Sequence, residues 1–249
     1  MKISQKLVLS LIASTFMLTV FAQLPVASGN KTIYGNSKAG KYLNTRGFKM
    51  YYEMYGTGKP LLIIHGNGGS IKDFSNQVPY FSKEYKVILA DSRAQGKSID
   101  ARDSLNYEMM ADDLNALLDE LHLDSCYVIG WSDGGINGLL LAIRHPEKVK
   151  KLAVTGANLW PGTTAVEPNI TAAQLHTIKC PTLVIGGDHD ALLPRHTLLI
   201  AEAIPRSYLW IIPNSGHSTP INYAKQFNET INDFFKKPYR VIEGLDRLN

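Results

Sequence analysis

The sequence predicts an α/β fold, a doubly wound and mostly parallel sheet, and three observations carry that expectation. Continuous apolar runs such as Leu61-Leu62-Ile63-Ile64 and Lys86 to Ala90 have the length of short strands, and their lack of alternation marks strands buried on both faces. Further on, Tyr107, Met110, Ala111, Leu114, Leu117, Leu118 and Leu121 recur at helical spacing, the signature of an amphipathic helix. Strand and helix patterns then alternate almost to the end of the chain. With right-handed crossovers, that alternation covers both faces of a parallel sheet.

Taken in order, residues 1–22 read as a secretory signal. Lys2 and Lys6 give the positive start, Leu7 to Phe21 the apolar stretch and Ala22 a small residue for cleavage. The apolar stretch is short for a membrane span, which needs about 20 such residues. Residues 23–46 form a lead-in, polar from Asn30 to Lys41, and the folded domain is expected over 47–237 with a tail at 238–249. Within the domain, Gly47 to Tyr55 alternates as a strand, and Ile71 to Phe81 has helical spacing. A polar loop, Asp91 to Ser98, follows the Lys86 strand. Tyr127-Val128-Ile129 is a strand that stops at Gly130, and a helical pattern resumes after Gly135. Strands at Lys151 to Thr155, Thr182 to Gly186 and Tyr208 to Ile212 come next. Helices are expected around Thr197 to Ala203 and from Ile221 to Phe235, with one short helix near Ile170 to Leu175.

Composition excludes several classes of function. The formal charge of +4 becomes +2 once Lys2 and Lys6 leave with the signal, and the remaining charges are interspersed without a basic run. Nucleic acid is therefore not an expected partner. The two cysteines, Cys126 and Cys180, open different strands and are expected to be free, buried thiols. No His/Cys spacing suggests a metal site, and no cofactor is expected. A small-molecule substrate is the expected partner. The signal places the chain outside the cytoplasm, secreted or periplasmic, with no stable membrane insertion after cleavage.

In a sheet of this kind, function gathers at the carboxyl ends of the strands. Those ends carry His65-Gly66-Asn67-Gly68-Gly69, Asp91, Ser132, Gly187-Asp188-His189-Asp190 and Gly216-His217. Gly130-Trp131-Ser132-Asp133-Gly134 is a Gly-x-Ser-x-Gly turn between strand and helix, which lifts the serine hydroxyl clear of the sheet. Chance alone gives that pattern in roughly one chain of this length in ten, so the surrounding residues decide. They supply a nucleophile, an acid and a base in the order Ser, Asp, His. A serine hydroxyl needs an imidazole to take its proton, and the imidazole needs a carboxylate to fix its tautomer. The glycine-rich turn after His65 can aim backbone N–H groups at an oxyanion, together with the amide of Asp133.

These motifs, in this order, resemble those of the α/β-hydrolase family over nearly all of Gly47 to Phe235. The resemblance implies Ser132 as nucleophile, His217 as base and Asp190 as acid, with Asp188 as the rival carboxylate. It implies the amides of Asn67 and Asp133 as the oxyanion hole. Trp131-Ser132-Asp133-Gly134-Gly135 and Gly156-Ala157-Asn158 are most similar to the valacyclovir hydrolase (biphenyl hydrolase-like) branch. That branch implies cleavage of small esters, α-amino acid esters among them, with Asp133 receiving the substrate ammonium and Gly68 and Trp131 beside it. The family inserts a helical lid where this chain has only Gly156 to Cys180, so a reduced or absent cap is expected. Rival readings are amide or carbon–carbon bond hydrolysis on the same triad, or a binding protein that kept the fold. His65 is expected to brace its loop, Asp91 and Arg93 to knit theirs, and Trp131 is equally explained by packing. His122, His145 and His189 are expected at helix ends or on the surface, and Asp133 can equally serve as a first-turn carboxylate at a helix N-terminus.

Overall fold

Eight strands make one sheet in the computed structural model, which describes residues 33–36, 38–100, 105–161 and 167–240. The expected signal segment (1–22) and the tail from 241 onward lie outside the described residues. The strands are β1 (Lys41–Thr45), β2 (Phe48–Tyr55), β3 (Lys59–Ile64), β4 (Tyr85–Ala90), β5 (Cys126–Trp131), β6 (Val149–Thr155), β7 (Thr182–Gly187) and β8 (Ser207–Ile212). Their order across the sheet is β1-β2-β4-β3-β5-β6-β7-β8. β1 and β2 run antiparallel at one edge, and every pairing from β4 to β8 is parallel.

The helices are α1 (Val78–Phe81), α2 (Tyr107–Glu120), α3 (Asp133–Arg144), α4 (Ala172–His176), α5 (Pro194–Ala203), α6 (Thr219–Asn222) and α7 (Ala224–Lys236). Side chains of a strand alternate between faces, and the central strands show what that does here. Leu62, Ile64, Ile88 and Val128 meet Leu114, Leu117 and Leu118 of α2 and Leu139 and Ile136 of α3 on one face. Leu61, Ile63, Val87 and Ile129 meet Phe74, Phe81, Phe227, Ile231 and Phe235 on the other. Nearly all of these side chains are excluded from solvent, each worth about 1.5–3 kcal/mol of burial. The apolar runs are continuous because both faces are covered.

Three expectations are corrected. The domain does not begin at 47: β1 pairs residue by residue with β2, from Lys41↔Tyr52 to Thr45↔Phe48. Its sequence gave no strand signal because an edge strand half open to solvent needs no apolar alternation. The expected helix over Ile71 to Phe81 is a short 3-10 turn (Ile71–Phe74) followed by α1. Pro79 lacks an N–H and belongs in a first turn, so it forces a fresh start. The helix expected from Ile221 divides likewise into α6 and α7, with Pro220 in the first turn of α6 and the break at Tyr223 (φ −117°).

Cys126 and Cys180 are free and buried, as expected. The Asn228 side chain is buried and donates to Asn76 O at 3.0 Å. Between β6 and β7 the described residues form one helix, the five-residue α4.

Candidate active site

β5 ends at Trp131 and α3 begins at Asp133, leaving Ser132 alone to turn the chain. Its backbone sits at φ 56°, ψ −123°, a conformation that costs a non-glycine residue about 1–3 kcal/mol. The surroundings hold it there. Ser132 N–H donates to Thr155 O at 2.8 Å, and Gly135 N–H donates to Ser132 O at 2.7 Å. The turn is tight enough that a Cβ on Gly130 would stand 2.2 Å from Gly134 O, and one on Gly134 would stand 2.0 Å from Ile64 O. The two glycines are therefore a steric condition of the serine's position.

The loops after β7 and β8 bring two more groups to this turn. Ser132 Oγ and His217 Nε2 are 2.9 Å apart, and His217 Nδ1 lies 2.8 Å from Asp190 Oδ1. The Asp190 bond raises the His217 pKa above its ordinary value, against burial, which lowers it. For Asp190, burial pushes the carboxyl upward, but the His217 bond and the Leu192 N–H more than offset it, so the group stays below the usual carboxylate range. Asp190 Oδ2 is buried without a partner. His217 is also held from behind, where the Trp131 indole N–H donates to its carbonyl at 2.8 Å. Gly156 (φ +61°) has no room for a side chain, because a Cβ there would come within 2.8 Å of the His217 ring.

Two cavities meet at Ser132 and His217. The larger, about 250 Å³, is bordered by Asp133, Asn158, Trp160, Glu167, Leu192 and His196 among others. The smaller, about 180 Å³, is bordered by Gly66, Asn67, Gly69, Asp73 and Trp131. Asn67 borders the smaller cavity and Asp133 the larger, with Ser132 bordering both. Asp133 opens α3, so its N–H is one of the helix's unsatisfied donors. Its side chain borders the larger cavity, and the Tyr107 hydroxyl donates to it. Burial raises the Asp133 pKa, and the nearby Glu167 raises it further. Glu167 accepts from the Asn158 amide at 2.9 Å. Among the described residues, no group of three or more His, Cys, Asp or Glu is placed to hold a metal ion.

Other sequence candidates fall outside the cavities. Gly68 borders neither; at φ +65° it turns the chain, and its N–H donates to Gln95 Oε1 at 2.8 Å. Asp188 is exposed to solvent and faces away, pairing with His189 Nδ1 at 2.8 Å, which with backbone N–H bonds holds its pKa at about 2. His65 accepts from Ser92 N–H at 2.8 Å and lies 2.7 Å from Gly66 O, bracing two loops. Asp91 accepts from Ile71 and Lys97 N–H groups. Arg93 makes its ion pairs with Asp100 and Asp113, both buried, in place of Asp91. His145 pairs with Asp112 at 2.8 Å, and His122 takes φ 53° just after α2. Glu167 and His196 escaped the sequence reading, because neither sits at a strand end or in a recognisable motif.

The alpha/beta hydrolase fold family matches residues 59–177. The chain is 25% identical over 257 residues to the serine hydrolase BPHL of Mus musculus, covering 82% of this chain and 88% of that protein. It is also 25% identical over 263 residues to a 2-hydroxymuconate semialdehyde hydrolase of a Pseudomonas species, covering 78% and 93%. Among solved structures, an enol-lactonase from Burkholderia xenovorans superposes with a TM-score of 0.75 at 20% identity, over 79% of this chain and 100% of that one.

Proposed function

The chain belongs to the α/β-hydrolase family and is a hydrolase, and from that premise we propose that it cleaves small carboxylic esters through a serine acyl-enzyme. The observation that carries the proposal is the continuous line of short contacts from Ser132 Oγ through His217 to Asp190. In this reading Ser132 Oγ attacks the ester carbonyl as its proton passes to His217 Nε2. Asp190 holds the other ring nitrogen protonated and stabilises the imidazolium. The N–H groups of Asn67 and Asp133 receive the oxyanion. His217 then gives its proton to the leaving alkoxide, and water, activated by the same imidazole, releases the acid.

A fluorophosphonate probe tests the mechanism directly. Wild type should be labelled and Ser132→Ala should not, with ester turnover lost in parallel. Equal labelling of both would place the nucleophile elsewhere. His217→Ala should cost about as much as Ser132→Ala, and the double variant little more, because the groups act as one unit.

The acyl group we assign is that of an α-amino acid. Two carboxylates, Asp133 and Glu167, border the larger cavity, and an ammonium beside the reacting carbonyl can reach Asp133. Because the cavity is open to solvent, the pairing is expected to be worth about 1–2 kcal/mol, or roughly 5- to 30-fold in kcat/KM. An aminoacyl ester should therefore outrun its N-acetylated twin in wild type, and Asp133→Asn should erase the difference. An unchanged ratio would reduce Asp133 to a helix residue. Carbon–carbon bond hydrolysis is a second reading, favoured by the similarity to the semialdehyde hydrolase.

A further inference from the structure

The wall of the larger cavity contains an imidazole that the mechanism does not use. His196 lies in the first turn of α5, is 9% exposed and borders the cavity together with Ser132 and His217. Leu159 N–H donates to its Nε2 at 3.1 Å. That bond makes Nε2 the acceptor, so the neutral ring carries its proton on Nδ1. Burial lowers the His196 pKa and keeps the ring neutral. The Trp160 ring stands edge-on against it, centroids 4.5 Å apart. Among the described residues Nδ1 has no hydrogen-bond partner.

We infer that His196 is a specificity residue, offering its Nδ1–H to an acceptor oxygen carried by the acyl chain of the substrate. The inference rests on the esterase reading and on the acyl group occupying the larger cavity. It adds a preference for acyl chains with a keto or ether oxygen over hydrocarbon chains of the same shape. A cavity donor with a fixed tautomer discriminates in this way because a hydrocarbon leaves the N–H without its partner.

The test uses two pairs of para-nitrophenyl esters, methoxyacetate against butyrate and levulinate against isocaproate, each pair matched in shape. Intrinsic reactivity is removed by dividing the enzymatic kcat/KM ratio by the ratio for hydroxide-catalysed hydrolysis. In wild type at least one corrected ratio should exceed unity by about 3- to 10-fold. Two variants then separate a substrate donor from a mere clamp on Leu159. His196→Asn places an amide nitrogen near the position of Nδ1 and gives up the Leu159 contact, and should keep the preference. His196→Gln reaches the Nε2 position with an acceptor and gives up the Nδ1 donor, and should lose it. Corrected ratios of unity for both pairs in wild type would overturn the proposal without reference to any variant. Loss in His196→Asn with retention in His196→Gln would overturn it as well, leaving His196 a clamp. If instead wild type hydrolyses no ester of either pair, or Ser132→Ala hydrolyses them equally, the esterase reading itself has failed.

Discussion

On the proposed mechanism, His217 is the residue at which the pH dependence of turnover concentrates. Only its neutral form can accept the Ser132 proton, and the bond to Asp190 raises its pKa above the ordinary 6.5 while burial opposes that rise. The sign follows: kcat/KM climbs with pH, through a midpoint above about 6.5. Asp190→Asn removes the group that raises the value, so the midpoint should move down even as the plateau falls. A profile flat from about pH 5 to 8, with chemistry limiting, would remove histidine as the base. Ser132, Asp190 and His217 were legible in the sequence because strand ends and glycine spacing mark such positions in any parallel sheet. Choosing Asp190 over Asp188 took the family resemblance, and the structure gives the reason: Asp188 turns outward to His189. Glu167 and His196 carry no such mark. Glu167 reaches the site beside Asn158, from between β6 and α4, and His196 from the first turn of α5, and no local pattern specifies either path.

At the scale of elements, the β5–α3 turn is where packing is least forgiving. The Cβ of Gly134→Ala would meet backbone, Ile64 O at 2.0 Å, and backbone in the middle of a sheet cannot yield as a side chain can. We expect a loss of at least about 3 kcal/mol, read as a lower urea midpoint. A change below about 0.5 kcal/mol, the level of an ordinary surface substitution, would mean that β3 and α3 are less closely pressed than their glycines imply. The strands other than β1, and helices α2 and α3, were readable from the sequence because their burial repeats along the chain. The helices that divide were not, because apolar spacing continues through 71–81 and 221–235 while the backbone breaks. There the proline positions, Pro79 and Pro220, carried the information that periodicity hides.

For the molecule as a whole, the long-range ties explain why β1 belongs to the domain although its own sequence does not say so. Arg46, just past β1, bonds to Asp113 of α2, and Arg93 bonds to the same carboxylate while its guanidinium lies 3.8 Å above the Phe48 ring. Such ties join residues dozens of positions apart, which is why local patterns miss them. The sheet order has a consequence of another kind, in time. Strands β1 to β4 make up one half among themselves, and β5, β6, β7 and β8 are added at the free side of β3 in the order in which a ribosome delivers them. Only α7 turns back. It lays Phe235 on Tyr127 with ring centroids 4.7 Å apart, and Gln77 and Tyr85 on the first half donate to its Asn228 and Asn232. Assembly is therefore expected to run from one end of the chain to the other and to close with the docking of its last helix. In pulsed hydrogen exchange during refolding, amides of β3 to β6 should become protected before those of α7. Protection of α7 first would reverse that order and make the final helix the template on which the sheet is laid.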